Sequence, residues 1–102
     1  MAAVWVRART IVEQPDVASA VDLYRQQLPR FDEAYEALKW LLSRRCGTLG
    51  LSRTVGGTEY RLYRQDCDTP ARTPSIVVVF SFSDHEVTID GLKAEAAYGS
   101  GP

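Results

Sequence analysis

The longest apolar run in the chain, Ile76-Val77-Val78-Val79-Phe80, constrains the fold more than any other stretch. It falls far short of the roughly 20 residues that a membrane span needs, so it reads as strand. Ile76 to Ser83 and Glu86 to Leu92 then form two strands joined by a tight turn at Asp84-His85. A third strand, Glu59 to Gln65, sets Tyr60 and Leu62 against Arg61 and Tyr63 in the two-residue alternation of a half-buried sheet. Between it and the apolar run, Asp66 to Ser75 contains Pro70 and Pro74 and reads as an exposed connection.

The first half of the chain has a different rhythm. Val4 to Val12 alternates as a strand, and Gln14-Pro15-Asp16 ends it, with Asp16 placed to cap a helix. Val17, Ala20, Val21, Tyr24 and Leu28 follow at helical spacing, giving a helix from Val17 to Gln27. Pro29 interrupts, because its ring clashes with the preceding turn. A second helix runs from about Arg30 to Arg45 on a stripe of Phe31, Ala34, Tyr35, Leu38, Leu41 and Leu42. Its acids, Asp32, Glu33 and Glu36, come first, and its bases, Lys39, Arg44 and Arg45, come last, which opposes the helix dipole. Gly47 to Thr58 holds four glycines and reads as a loop with a short extended piece. The expected architecture is α+β: an N-terminal strand, a two-helix hairpin and a three-stranded antiparallel C-terminal sheet. Residues 1–93 form the single domain, and 94–102 form a flexible tail.

Composition supports this reading. Of the 102 residues 45% are hydrophobic and 25% charged, ordinary globular values that exclude disordered and fibrous classes. The N-terminus lacks the basic start, apolar stretch and cleavage site of a signal peptide, so the expected location is cytoplasmic, with no membrane partner. Cys46 and Cys67 form no CxxC pair, and His85 is the single histidine, so no metal site and no cofactor are expected. Net charge is −1, but it is unevenly spread. Residues 39–64 carry six bases and one acid, whereas residues 1–38 carry four and six, and residues 65–102 two and six. A basic block between acidic flanks suits a surface that meets a polyanion or an acidic partner.

Side-chain parity sorts the expected strands into faces. Tyr60, Leu62, Ile76, Val78, Phe80, Phe82, Val87 and Ile89 make one apolar face for the helices to cover. Arg61, Tyr63, Val77, Val79, Ser81, Thr88 and Asp90 then fall on an open face, joined by Trp5, Arg7 and Arg9.

Three stretches resemble the RelE/ParE toxin superfamily. Phe31-Asp32-Glu33-Ala34-Tyr35-Glu36-Ala37-Leu38-Lys39-Trp40-Leu41-Leu42 looks like its second helix, and Tyr60-Arg61-Leu62-Tyr63 like the strand after its glycine-containing loop. Pro74 to Phe82 followed by Glu86-Val87-Thr88-Ile89 resembles its final hairpin. The resemblance implies a toxin of a type II toxin–antitoxin system, neutralised by an antitoxin protein. Members of this kind inhibit translation by cutting mRNA in the ribosome, or poison DNA gyrase. It also implies a phosphate-holding, catalytic role for Arg61, since guanidinium stays charged and contacts phosphate with paired hydrogen bonds. The family often carries a second sheet arginine where this chain has Ser81.

Each candidate has a functional and a structural reading. Arg61 is either a phosphate or partner contact, or a strand arginine paired with Asp90 or Glu59. Arg7, Arg9, Arg53, Tyr63 and Arg64 are candidates for binding nucleic acid or a protein partner. Parity sets Arg64 with the core face, at its strand's end. Trp5, Val77 and Val79 are interface candidates, and their apolar patch also suits a homodimer or a non-toxic interaction domain of the same fold. Trp40 reads as partly buried beside the leucine stripe, and His85 as a turn residue.

Overall fold

The computed structural model describes residues 8–66 and 72–96. Among them the chain forms β1 (Thr10–Glu13), α1 (Pro15–Gln27), α2 (Phe31–Arg45), a short 3-10 turn (Cys46–Thr48), β2 (Leu51–Val55), β3 (Thr58–Gln65), β4 (Ser75–Phe82) and β5 (Glu86–Glu95). The class is α+β as expected, but the sheet is larger and mixed. Its five strands run in the order β1-β5-β4-β3-β2, with β1 parallel to β5 and every other pairing antiparallel.

Two differences from the expected three-stranded sheet have clear causes. The segment expected as a loop contains β2, which turns back into β3 through Gly56 and Gly57. Both glycines have positive φ, 59° and 84°, the conformation that a two-residue hairpin turn requires. The first strand is not separate. Its amides reach across the fold: Thr10 N–H donates to the His85 carbonyl at 2.9 Å, and Gln14 N–H to the Ile89 carbonyl at 3.2 Å.

The helices are built much as their patterns indicate. α1 opens with Pro15 at its first turn, where the missing amide costs nothing, and Gln14 occupies the capping position. Asp16 therefore lies inside the first turn rather than capping it. Pro29 separates the helices, and Arg30 takes a left-handed conformation (φ 63°) before Phe31 starts α2. Tyr24, Phe31 and Tyr35 form a run of contacting rings, with centroids 5.6 and 5.4 Å apart. Arg25 ties the two helices together through Asp32 at 2.5 Å, and that hydrogen bond raises its pKa further.

Both helices pack on one face of the sheet, over β1, β4 and β5. Val17, Val21, Phe31, Tyr35, Leu38 and Leu42 meet Ile76, Val78, Phe80, Val87 and Ile89 there, all buried. β5 continues past Leu92 to Glu95, with Ala94 buried opposite Ile76. Between Val79 and Phe80 the register slips, leaving Asp90 as the extra residue of a bulge. The last two strands, β2 and β3, extend beyond the helical layer.

Candidate functional site

The register of β3 reverses one sequence expectation. Arg61 stands opposite Phe80, Tyr63 opposite Val78 and Gln65 opposite Ile76, so these three share the helix-covered face. Leu62 stands opposite Val79 and Arg64 opposite Val77, so Tyr60, Leu62 and Arg64 belong to the open face. Arg61, Tyr63 and Arg64 are thus each on the side opposite to that expected. The reason is local: β3 outruns the helices, so burial there does not select its most apolar face. Tyr63 instead packs against the core edge, and the Gln65 amide donates to the Ala34 carbonyl at 2.9 Å.

Arg61 has a structural task in this position. Its Nε donates to the Leu49 carbonyl at 2.8 Å and its Nη2 to the Gly50 carbonyl at 3.2 Å, while Nη1 lies 3.4 Å from Glu59. The side chain is only 14% exposed. The guanidinium therefore clamps the chain entering β2 and spends its donors on two carbonyls and a carboxylate. Gly50 completes the clamp. With φ of 74°, its position brings a notional Cβ to 2.1 Å from the Leu62 carbonyl oxygen, so only glycine fits.

Other expected cations are distributed elsewhere. Arg9 does not lie on the open face: its Nε donates to the Ser83 carbonyl at 2.7 Å, and its guanidinium sits 5.4 Å from the Phe82 ring. Arg64 pairs with Asp66 at 2.8 Å. Ser81 donates to Asp90 at 2.9 Å, which fixes a carboxylate on the open face. Trp5 and Arg7 lie outside the described residues, as do Cys67 and residues 97–102 of the expected 94–102 tail, whose first two residues, Ala94 and Glu95, belong instead to β5. Cys46 is buried as a free thiol, and burial pushes its pKa up despite the nearby Arg9 and Arg61. Among the described residues no group of His, Cys, Asp and Glu is placed to hold a metal ion, and no helix is long and apolar enough to cross a membrane.

The open face brings together a different set. Leu51 pairs with Leu62, which pairs with Val79, making an apolar row across three strands. Arg53 pairs with Tyr60 in the next row, and Val55 with Thr58 at the tip. Leu51, Val55 and Leu62 are 77%, 59% and 47% exposed. Leu51, Arg53, Val55, Tyr60, Leu62 and Val79, with Ser52 and Arg61 at the margin, line an open groove of about 880 Å³. Both charged residues in that lining are arginines. Val77 and Val79 are on this face as expected, half-buried between their neighbours.

Leu51 and Val55 were not singled out from the sequence, although the signal was present. Leu51 to Val55 and Thr58 to Gln65 are separated by two glycines, the signature of a hairpin. Trp40, expected to be partly buried, is 55% exposed on α2, with the Arg44 guanidinium stacked 4.5 Å from its ring. Compared with protein-family models, with curated proteins and with solved structures, the chain matches none.

Proposed function

We propose that this chain is a protein-binding domain that receives a partner polypeptide on the open side of the β2–β3 hairpin. One observation carries this reading: three large aliphatic side chains, Leu51, Val55 and Leu62, stand together in solvent around one groove. Scattered exposed leucines are ordinary, but a contiguous apolar patch marks a surface that another molecule covers. Tyr60 and Arg53 at its centre are residue types enriched where proteins dock. Arg53 is the charged side chain that the open face presents to this groove, since Arg61 is occupied by two carbonyls and Glu59, so the partner that fits is apolar and acidic.

The test is selection of a displayed random-peptide library on the immobilised protein, with counter-selection on the L51D/L62D double variant. Both positions are exposed, so the variant keeps its fold, and circular dichroism checks this. Peptides that lose binding to the double variant support the reading. A library that enriches nothing, or binders indifferent to both leucines, removes it.

A second reading is the toxin component of a toxin–antitoxin pair, acting on translation or on DNA gyrase. Its support is the element order, one strand and two helices followed by antiparallel strands, and such a toxin needs an apolar face for its antitoxin. Induced expression in a bacterium is then expected to arrest growth, and folded protein without arrest counts against it. A ribosome-dependent endonuclease using Arg61 draws less support, because that guanidinium is occupied by the Leu49 and Gly50 carbonyls.

A further inference from the structure

We infer that the partner enters as an extended segment that adds a sixth strand to the outer edge of β2, carrying a carboxylate between two alternate apolar residues. The inference rests on the protein-binding reading and specifies its partner.

The edge supplies the first argument. β2 closes the sheet order, so its outer backbone groups have no strand beside them among the described residues. Proteins usually blunt such an edge with proline, a charged side chain, a bulge or a covering loop, and here Arg53 is the one such device. Leu51-Ser52-Arg53-Thr54-Val55 has neither proline nor bulge, and all five residues are exposed. An extended chain pairing here gains main-chain hydrogen bonds and extends the apolar row Leu51–Leu62–Val79 by one strand.

Side-chain alternation supplies the pattern. Leu51, Arg53 and Val55 project to the open face, and Ser52 and Thr54 to the other. Side chains directly opposite on paired strands lie about 5 Å apart and interact. The incoming strand therefore sets an apolar residue against Leu51, a carboxylate against Arg53 and an apolar residue against Val55. On the reverse face Ser52 already donates to Glu59 at 2.5 Å, so a carboxylate is unwelcome there and small hydroxyl residues fit.

Charge also disfavours a second copy of this chain as the occupant. Full antiparallel pairing of two β2 strands about a two-fold axis centres on Arg53 and sets two guanidiniums opposite each other. Like charges in that position destabilise a pair. Arg53 thus discourages self-pairing and selects an acidic partner, and it has no ion pair of its own among the described residues.

The probes are blocked nine-residue synthetic peptides with valine, glutamate and valine at alternating central positions and threonine between them. A matched peptide carries lysine in place of glutamate. Binding is read by fluorescence anisotropy, and its location by amide NMR shifts on the intact protein. The glutamate peptide is expected to shift β2 amides and to bind roughly fivefold tighter than the lysine peptide, the factor that an exposed ion pair supplies. R53E is expected to invert that order. N-methylation of alternate peptide amides is expected to abolish binding in the frame that faces β2 and spare it in the other.

Three results overturn the inference. One is an unchanged order on R53E or indifference to both N-methyl frames, and another is self-association of the wild type through β2. The third is that neither peptide binds while the library yields binders dependent on Leu51 and Leu62 with apolar residues at helical spacing. That third result keeps the docking face and removes the strand. Failure of the library itself removes both.

Discussion

Phe80 and Leu51 belong to one sheet, two strands apart, yet they meet opposite fates. Phe80 is fully buried under the helices, and Leu51 is 77% exposed. In the β4–β5 half the helices fill one face with Tyr35, Phe31 and Leu38, so strand parity and burial agree for Ile76, Val78, Phe80, Val87 and Ile89. In the β2–β3 half no helix layer imposes a choice, and the hairpin is held instead by its own turn, by Gly50 and by the Arg61 clamp. The first region is stable through apolar contact and the second through backbone geometry. The large apolar side chains of the first region lie under the helices, whereas Leu51, Val55 and Leu62 of the second stand in solvent.

The largest test of this contrast is a pair of truncations. F80A is expected to lose about 3–5 kcal/mol of unfolding free energy in urea, because it removes a ring and leaves a cavity. L51A is expected to stay within about 0.5 kcal/mol of wild type. Equal losses would erase the distinction. Next in size is G50A, which forces a side chain into a left-handed position against the Leu62 carbonyl and is expected to cost about 2 kcal/mol. Its signature is local: amide exchange should accelerate in β2 and β3 while β4 and β5 remain protected.

The Arg61 clamp follows. R61A is expected to cost about 1–2 kcal/mol, since two backbone carbonyls lose a charged donor. R61K should recover little of that, because an ammonium lacks the fork that reaches both oxygens. R53A, one strand away, is expected to leave stability unchanged, and equal effects at the two arginines would break the assignment of one to structure and one to recognition.

The smallest effect belongs to Tyr35, within the covered half. Its hydroxyl donates to the Glu13 carboxylate, and burial first, then that acceptor, holds its pKa well above the ordinary value. The native state therefore keeps the phenol proton more tightly than the unfolded chain does. Unfolding releases the proton once pH passes about 10, so stability falls as pH rises from there. Y35F is expected to lose about 1 kcal/mol at neutral pH and to show a flatter decline above pH ~10 in urea titrations.

How far the sequence revealed this molecule follows the same division. Both helices, the β4–β5 hairpin and the inward set Ile76, Val78, Phe80, Val87 and Ile89 were legible, because a buried face writes its period into the chain. The phase of β3 was not. Tyr60 and Leu62 are more apolar than Arg61, so hydrophobicity pointed them inward, whereas Arg61 can lie along the covered face by burying its stem and bonding its head to carbonyls. The parallel pairing of β1 with β5 was also hidden, since alternation within a strand does not name its neighbour. Of the groove lining, Arg53 and Val79 are legible as candidates in the sequence, whereas Leu51 and Val55 lie in a stretch whose glycines suggest a loop.

The pairing of β1 with β5 also sets a timetable. Arg9 meets Ser83 across 74 positions of chain, and the strand that β1 pairs with, β5, is the last described element. Contacts so distant in sequence close late, after the local hairpins have formed. As the chain leaves a ribosome, α1 and α2 emerge with Val21, Tyr35 and Leu38 uncovered, and they stay so until the last strands follow. That interval exposes the nascent protein to association with its neighbours.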